Sequence, residues 1–417
     1  MSLNSAMYSG VSGILTLGNS MNVIGDNIAN VNTIGFKGSR TAFADILSNS
    51  MSNGSTTMQM GRGTFLQNVQ TSWSQGSFET TANATDMAIQ GSGFFVVRDT
   101  ANSANYYTRS GQFTLDKQGL LVDGTGKVVQ GFRVTGTTNG VVSNSGTVAN
   151  VSLGGVQSQP SATTNFRMGV NLNASASAAA TFTTSFDVYN NLGGRTTLTA
   201  TFTKGAVNAT GATWTYALAS SSGAVTTGNT GTIQFNSSGQ LVSPTTNPTV
   251  GITGFTTGAN PLTMTWAMFN TTTGAALNEI SGYSAPSTTT SIIQDGYSTG
   301  TLKGLSVDAK GVISGLFSNG QTQSLYQLEL ADFPSPWGLS RVGGSLYGET
   351  AQSGQPLLGT AGGGGLGTVL GSSLELSNVD LATEFVKMIQ NQRGYQANSK
   401  IVTSVDEMLT EAVNLKR

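Results

Sequence analysis

The chain has 417 residues, a net charge of −1, and neither cysteine nor histidine. This composition excludes disulfides, Cys/His zinc sites, and cysteine or histidine nucleophiles and general bases. Because histidine is the side chain that normally titrates near neutral pH, we expect little change in behaviour between about pH 6 and 8. The near-zero net charge predicts no nucleic-acid binding.

Charged residues make up only 9% of the chain, against roughly 25% in ordinary globular domains. Such a surface suits a chain that associates with copies of itself, and equally a stiff extracellular β-rich protein. No apolar stretch reaches the ~18 residues of a membrane span. The N-terminus also lacks the basic and apolar regions of a cleaved signal peptide. We therefore expect neither membrane insertion nor a cleaved signal.

The N-terminal segment predicts a helix of about 27 residues. Its apolar positions recur at alternating spacings of four and three, which is a heptad stripe with one glycine in it. This predicted apolar stripe consists of Leu3, Met7, Gly10, Ile14, Leu17, Met21, Ile24, Ile28 and Val31. The stretch that follows, NIANVNTIGFKG (27–38), contains the turn formers Asn30, Asn32 and Gly35, which end the helix.

The C-terminal segment predicts one long helix up to Leu415, begun by a capping box of Ser377 and Asp380. Two stripes on this helix imply neighbours on two sides. One stripe contains Leu381, Phe385, Met388, Tyr395, Val402, Leu409 and Val413, and the other contains Ile401, Val405, Met408, Ala412 and Leu415. Gly394, next to Arg393, costs ~1 kcal/mol in mid-helix, which suggests close approach of another backbone.

Between the helices the pattern is β, with alternating apolar residues and turn signals. One turn motif occurs three times, at 115–121, 235–241 and 307–313. In each copy Asp or Asn opens the turn and Gly, three positions later, takes the positive φ that closes it. These motifs predict three β-hairpins. Their ordinary interpretation is architecture and not a binding site.

The resulting fold class is α+β and mostly β, with terminal helices forming a coiled-coil-like inner domain and two antiparallel β domains, one nested in the other. We predict an inner-tube domain at 1–32 plus 376–417 and a connecting region at 33–75 plus 355–375. The discontinuous β domain is predicted at 76–165 plus 293–354. The inserted outer β domain is predicted at 166–292, where charge is sparse.

No motif predicts a catalytic residue, a cofactor or a metal site. GGGGLG (362–367) lacks the preceding strand and following Lys-Ser/Thr of a phosphate-binding loop, so a flexible linker is favoured. A glycosidase-like carboxylate pair also finds little support, since many of the acidic residues lie in or near the C-terminal segment. An enzyme is therefore the least favoured class.

Both terminal segments resemble one protein family. NIANVNTIGFK (27–37) is similar to the Asn-x-x-Asn-x-x-Thr-x-Gly-Phe-Lys signature of rod/hook axial proteins of the bacterial flagellum, and SNVDLATEFVKMIQNQRGYQANSKIV (377–402) to their C-terminal signature. The large β insert resembles the hook members more than the shorter rod members. The signature positions are Asn27, Asn30, Thr33, Gly35, Phe36, Lys37, Asn378, Asp380, Arg393 and Tyr395.

The resemblance implies a homopolymer: a curved tube that transmits torque as a universal joint, with the terminal helices lining its channel. It also implies contact with rod and hook–filament junction proteins and a hook cap, and type III export to the cell exterior. Alternatives are a distal rod protein and, from another class, a phage-tail-like or adhesive β fibre.

Two local hypotheses accompany this interpretation. Sparse charge in the β domains should let subunit interfaces slide, because separating buried charge pairs is costly. At the exit of the first helix, Phe36 is expected to occupy an apolar pocket and Lys37 to meet a carboxylate or a backbone carbonyl.

Overall fold

The computed structural model describes residues 3–47, 49–53, 56–138, 141–208, 211–269, 277 and 279–414. The chain divides into two compact units. Unit 1 contains Met1–Gly155, Gly304–Leu316 and Thr322–Arg417, and unit 2 contains Val156–Lys303 and Phe317–Gln321. The predicted insert at 166–292 therefore lies within unit 2.

The elements up to the first unit boundary are α1 (Leu3–Ala29), β1 (Ser39–Asp45), β2 (Asn49–Asn53), β3 (Thr56–Met60), β4 (Thr64–Thr71), β5 (Phe78–Thr80), β6 (Met87–Gln90), β7 (Phe94–Arg98), β8 (Asn105–Thr108), β9 (Thr114–Leu115), β10 (Leu121–Val122), β11 (Val128–Thr138) and β12 (Val141–Asn150).

The next elements are β13 (Gln157–Ser158), β14 (Asn165–Asn171), β15 (Thr181–Tyr189), β16 (Arg195–Asn208), β17 (Gly211–Ser220), β18 (Ala224–Thr227), β19 (Thr230–Phe235), β20 (Leu241–Ser243), β21 (Thr249–Thr253), β22 (Leu262–Trp266), β23 (Ile280–Ser281) and β24 (Thr288–Gln294).

The last elements are β25 (Gly300–Val307), β26 (Val312–Phe317), β27 (Thr322–Asp332), a 3-10 turn (Pro336–Gly338), β28 (Ser340–Gly343), β29 (Leu346–Gly348), β30 (Leu357–Thr360), β31 (Thr368–Gly371), β32 (Ser373–Glu375) and α2 (Leu381–Asn414).

The predicted fold class is confirmed: helices lie at the two ends and β-strands fill the chain between them. Strands from both sides of the insert share a sheet in unit 1, where β27 pairs with β7 at Leu330 and Phe95 and β29 pairs with β8 at Leu346 and Thr108. Nearly all pairings are antiparallel. The exceptions among the described strands are in unit 2, where β14 runs parallel to β22 and β23.

The three predicted hairpin turns share one geometry. Gly119, Gly239 and Gly311 have φ of +77°, +75° and +70°. In each turn the Asp or Asn side chain accepts hydrogen bonds from two backbone N–H groups, those of residues 118 and 120, 238 and 240, and 310 and 312. The side chain thereby replaces the pairing that the turn backbone lacks.

Each unit has an apolar core. In unit 2, Trp266 lies at its centre, 5.6 Å from the ring of Phe166 and 5.1 Å from that of Tyr216. In unit 1, Phe94, Tyr107 and Phe333 form an aromatic cluster with Tyr347. GGGGLG (362–367) is an ordered turn and not a flexible linker, because backbone bonds such as Gly367 N–H to Ser92 O (2.8 Å) fix it.

Candidate assembly surface and joint

The helices α1 and α2 pack against each other along most of their lengths. Asn27 Nδ2 donates to Glu384 Oε2 (3.2 Å), and Asn391 Nδ2 donates to Ser20 Oγ (2.8 Å). A Cβ added to Gly10 would lie 3.0 Å from Val402 Cγ2. Along these contacts the residue numbers rise on α1 as they fall on α2, so the two helices are antiparallel.

The line of closest approach, called the seam below, is lined mostly by small and polar side chains. On α1 it contains Gly10, Gly13, Ser20, Ile24 and Asn27, all of which are buried. Gly10 and Ile24 of the predicted apolar stripe lie on this line, whereas Met7, Ile14, Leu17, Met21 and Ile28 of the same stripe are half-buried beside it. The side chain of Leu3 lies outside the described residues. The two predicted stripes meet within the chain where Gly10 lies on Val402.

On α2, several apolar residues of the predicted stripes are exposed. Leu381 and Phe385 are 41% and 50% exposed, and Tyr395 is 45% exposed. Val405 is buried, whereas Met388, Val402 and Leu409 are half-buried. Gly394 accommodates Leu17, since an added Cβ would lie 3.1 Å from Leu17 Cδ1. The close approach at Gly394 is therefore made by a side chain and not by a second backbone. Arg393 is exposed, and Leu415 lies outside the described residues.

A groove runs beside the seam on one flank of the helix pair. Its cavity measures about 430 Å³ and is lined by Leu17, Gly18, Met21, Asn22, Gln392, Tyr395 and Gln396. Three of these residues, Leu17, Met21 and Tyr395, belong to the predicted assembly stripes. Gly18 has no atom within 4 Å of an added Cβ, so the groove is open at that point.

The signature at the end of α1 is a set of backbone clamps. Asn27 Oδ1 accepts from Ser39 N–H and its Nδ2 donates to Ser39 O, both at 2.8 Å, so Asn27 holds the start of β1. Asn30 Oδ1 accepts from Thr33 Oγ1 at 3.1 Å within the turn. Gly35 has φ of +68°, and an added Cβ would lie 2.5 Å from Ser110 N. Only glycine fits this position.

Lys37, Arg109 and Glu375 form a buried ionic group, called the joint cluster below. Lys37 Nζ lies 2.6 Å from Glu375 Oε1, and Arg109 Nη1 lies 3.5 Å from Glu375 Oε2. Lys37 also donates to Ser74 O at 2.8 Å. Burial lowers the pKa of Lys37, and the neighbouring Glu375 carboxylate opposes that shift. Lys37 thus has both kinds of partner that were expected.

Phe36 is half-buried and stacks under the Arg341 guanidinium, whose Cζ lies 5.3 Å from the ring centroid. The same Arg341 donates from Nη2 to Lys37 O at 2.5 Å. The anchor at Phe36 is therefore a cation–π contact. On the returning chain, Asn378 Oδ1 accepts from Gly38 N–H at 2.8 Å and its Nδ2 donates to Ser72 O at 2.9 Å.

The N-cap of α2 is Asp380 and not Ser377. Asp380 Oδ1 accepts from Thr383 N–H at 2.8 Å, and that bond lowers the pKa of Asp380. Ser377 Oγ accepts from Val379 N–H at 3.3 Å, ahead of the helix. The capping-box prediction misplaced the cap by one turn, because Asp caps a helix as readily as Ser does.

Sequence reasoning missed Arg109, Glu375, Arg341 and Glu384. Glu375 lies in LELS (374–377), where one acidic residue interrupts an apolar strand, and that isolation was the available signal. Across the described ranges there is no cluster of three or more carboxylates that could hold a metal ion. None of the helices described is both long and apolar enough to cross a bilayer.

Comparison with known families covers most of the chain. Residues 7–37 match "Flagella basal body rod protein", and residues 371–415 match "Flagellar basal body rod FlgEFG protein C-terminal". Residues 88–155 match "Flagellar hook protein FlgE/F/G D1 domain", and residues 159–297 match "Flagellar basal body protein FlaE D2 domain". The two terminal matches contain most of α1, all of α2, and the joint residues Lys37 and Glu375.

The chain is 32% identical to the flagellar hook protein FlgE of Treponema pallidum, over 99% of each chain. It is also 32% identical to that of Borreliella burgdorferi, over 99% of each, and to that of Escherichia coli, over 99% of this chain and all of the relative. The chain belongs to the flagellar hook protein family. Members of the hook protein family are structural proteins of the bacterial flagellum, so the chain is not an enzyme.

Proposed function

We propose that the chain is the repeating subunit of a flagellar hook and polymerises through the helix pair of α1 and α2. The observation that carries this proposal is the distribution of polarity on the pair. Polar and small residues fill much of the seam, whereas Leu381, Phe385 and Ile389 are exposed. Exposed apolar area favours association by about 25 cal/mol per Å² once it is covered. In a hook, neighbouring copies of the subunit would cover these exposed apolar residues.

The pair carries two different apolar surfaces. One is the groove at Leu17 and Met21, and the other is the outer face of α1 formed by Tyr8, Val11 and Leu15, of which Tyr8 is 66% exposed and Leu15 is 64% exposed. When two copies join through unlike surfaces, the other surface of each copy stays free to bind a further copy, so the contact can build an open helical array. We infer that the Tyr8 face of one copy occupies the groove of the next.

The joint transmits load from the helix pair to the β-sheet of unit 1. The joint cluster connects three segments: Lys37 after α1, Arg109 immediately after β8, and Glu375 ahead of α2. Asn27 and Asn378 add direct clamps on either side. Torque applied to the helices would therefore reach the body through several short bonds and not through one flexible linker.

Sparse charge supports a bendable tube. From Val134 to Gln294 the only charged residues are Arg167, Asp187, Arg195, Lys204 and Glu279. The ion pairs Arg167–Glu279 and Arg195–Asp187 are partly or fully exposed within unit 2. Neutral outer surfaces can slide at small cost. Glu/Lys pairs introduced across neighbouring copies should stiffen the hook, and unchanged bending would count against this role.

The groove gives the sharpest test. Gly18→Leu should fill it without disturbing the monomer, because nothing lies within 4 Å of that position. We expect sedimentation to show at least a tenfold loss of polymer, with an unchanged monomer circular-dichroism spectrum. The matched control is Gly304→Leu, at a glycine in unit 1 that is equally free of neighbours. Normal polymer from Gly18→Leu would refute the proposed contact.

Two further experiments separate the alternatives. Deleting residues 3–29 should abolish polymerisation of a hook subunit but leave a β fibre assembled. Electron microscopy of wild-type polymer should show curved tubes for a hook, whereas straight tubes would indicate a distal rod protein.

We also propose that the polymer lies outside the cell, exported by the flagellar type III apparatus and capped during growth. It would join rod proteins at one end and hook–filament junction proteins at the other. Membership of the flagellar family supports this placement. Antibody labelling of intact cells, with and without the export apparatus, tests it directly.

A further inference from the structure

The seam contains three contacts at regular intervals, called rungs below, of which two are hydrogen bonds and one is a close steric fit. Asn27 pairs with Glu384 and Ser20 pairs with Asn391. The third rung is a steric fit: Asn398 lies directly on Gly13, where an added Cβ would come within 2.8 Å of Asn398 Nδ2, while that Nδ2 donates to Gly394 O within α2 at 2.9 Å. Each step of seven residues along α1 matches a step of seven back along α2, so all three rungs have one register.

Polar residues between two packed helices lower the stability of the pair, but they also determine which helix pairs with which and in what register. The buried Glu384 carboxylate and the Asn391 amide reach their partners on α1 only in a matched register, and glycine at position 13 leaves the room that Asn398 needs. The apolar flanks carry no such restriction, because one apolar surface covers another in many alignments. In a polymer that brings many copies of both helices together, mispairing between chains is the obvious hazard.

A shifted register illustrates the selection. If α1 moved by one heptad, Gly13 would face Val405, and Glu384 would face position 34, beyond the end of α1 at Ala29. Glu384 is buried and would lose Asn27, leaving only its contact with Lys387 at 2.6 Å. An α1 helix paired with a second α1 would likewise lack Asn391 and Glu384 as partners.

We propose that the three rungs Asn27–Glu384, Ser20–Asn391 and Gly13–Asn398 are specificity determinants, selecting α1–α2 pairing within one chain and in one register. The apolar flanks are thereby reserved for neighbouring copies. This inference deepens the proposed assembly and rests on it only for that last assignment. The pairing itself is a property of the monomer.

The test uses cross-linking in the full-length chain, which has no native cysteine. Gly10→Cys with Val402→Cys places a reporter pair where the helices touch. Under dilute, monomeric conditions, oxidation of this parent should give mainly an intramolecular disulfide. Ser20→Leu/Asn391→Leu added to the parent should cut that product at least threefold and yield disulfide-linked dimers.

Two variants keep the test decisive. The swap Ser20→Asn/Asn391→Ser restores a hydrogen-bonded rung, so it should recover the intramolecular product. Asn19→Leu/Gln390→Leu adds the same apolar bulk at exposed positions, so it should behave like the parent. Full intramolecular cross-linking in the Ser20→Leu/Asn391→Leu variant, or failure of the swap to recover it, would overturn the inference. Failure of the proposed assembly would instead appear as a polymerisation defect unrelated to cross-linking.

Discussion

Lys37 and Glu375 lie 338 positions apart in sequence, yet their charged atoms are 2.6 Å apart and both side chains are almost fully buried. One follows the exit of α1 and the other precedes α2. The contact therefore closes the helix pair onto the β-sheet of unit 1. A buried pair is costly to form and more costly to break, because the remaining charge is left without its partner.

Lys37→Met should lower the free energy of unfolding of unit 1 by about 3–5 kcal/mol, since Glu375 would keep only the longer contact to Arg109. Denaturant unfolding followed by tryptophan fluorescence measures the change. Lys387→Met is the matched control: Lys387 lies at the same 2.6 Å from Glu384, but its side chain is 47% exposed. That variant should lose about 1 kcal/mol or less. Equal losses in the two variants would show that burial does not set the cost.

Glu329 should make unit 1 less stable as pH rises. Its side chain is 3% exposed, and its Oε1 has no hydrogen-bond partner among the described atoms. Burial raises its pKa from 4.5 to about 7. The folded state thus holds a proton that the unfolded state releases. The contribution of Glu329 to the free energy of unfolding is therefore complete below pH 4.5 and is lost as the pH rises to 7. The loss is about 3 kcal/mol, at about 1.4 kcal/mol per pKa unit.

Glu329→Gln should remove that fall, so the variant should gain stability over the wild type at pH 8 and little at pH 4.5. Unfolding curves at the two pH values measure this difference. A wild-type profile that is flat from pH 5 to 8 would contradict the assignment. The expectation of pH insensitivity drawn from the missing histidine overlooked this carboxyl, because a sequence does not show which carboxyl is buried.

Gly35→Ala should destabilise the exit of α1 by at least ~2 kcal/mol, since alanine disfavours a φ of +68° and its Cβ would press on Ser110. The control is Gly25→Ala, at a position in α1 with nothing within 4 Å, where helix propensity should add up to ~1 kcal/mol. Thermal melts of both variants should therefore move in opposite directions. A neutral Gly35→Ala variant would show that the turn can relax.

Asp380→Ala should lower the melting temperature through loss of the N-cap, and Ser377→Ala should lower it clearly less. The pair of melts distinguishes the cap seen at Asp380 from the capping box that the sequence suggested. A larger loss in Ser377→Ala would place the cap one turn earlier.

Local patterns were predictable where they depend on neighbours in sequence. The heptad spacing gave α1 its length, and the spacing of Asp116 and Gly119 gave a hairpin turn. The choice of seam was not predictable in the same way. A heptad pattern of apolar residues identifies an apolar helix face but does not show which partner covers it. The close approach at Gly13 depends on Asn398 in the other helix. The joint cluster was likewise not predictable, because Arg109 follows β8 and lies far in sequence from both Lys37 and Glu375.

The most direct test of the account is a density map of the assembled polymer at side-chain resolution. The polymer should be a curved tube in which Leu381, Phe385 and Ile389, exposed in the single chain, are covered by neighbouring copies, with the α1–α2 seam unchanged. A polymer in which these side chains stay exposed, or in which α1 pairs with another chain across the seam, would contradict it.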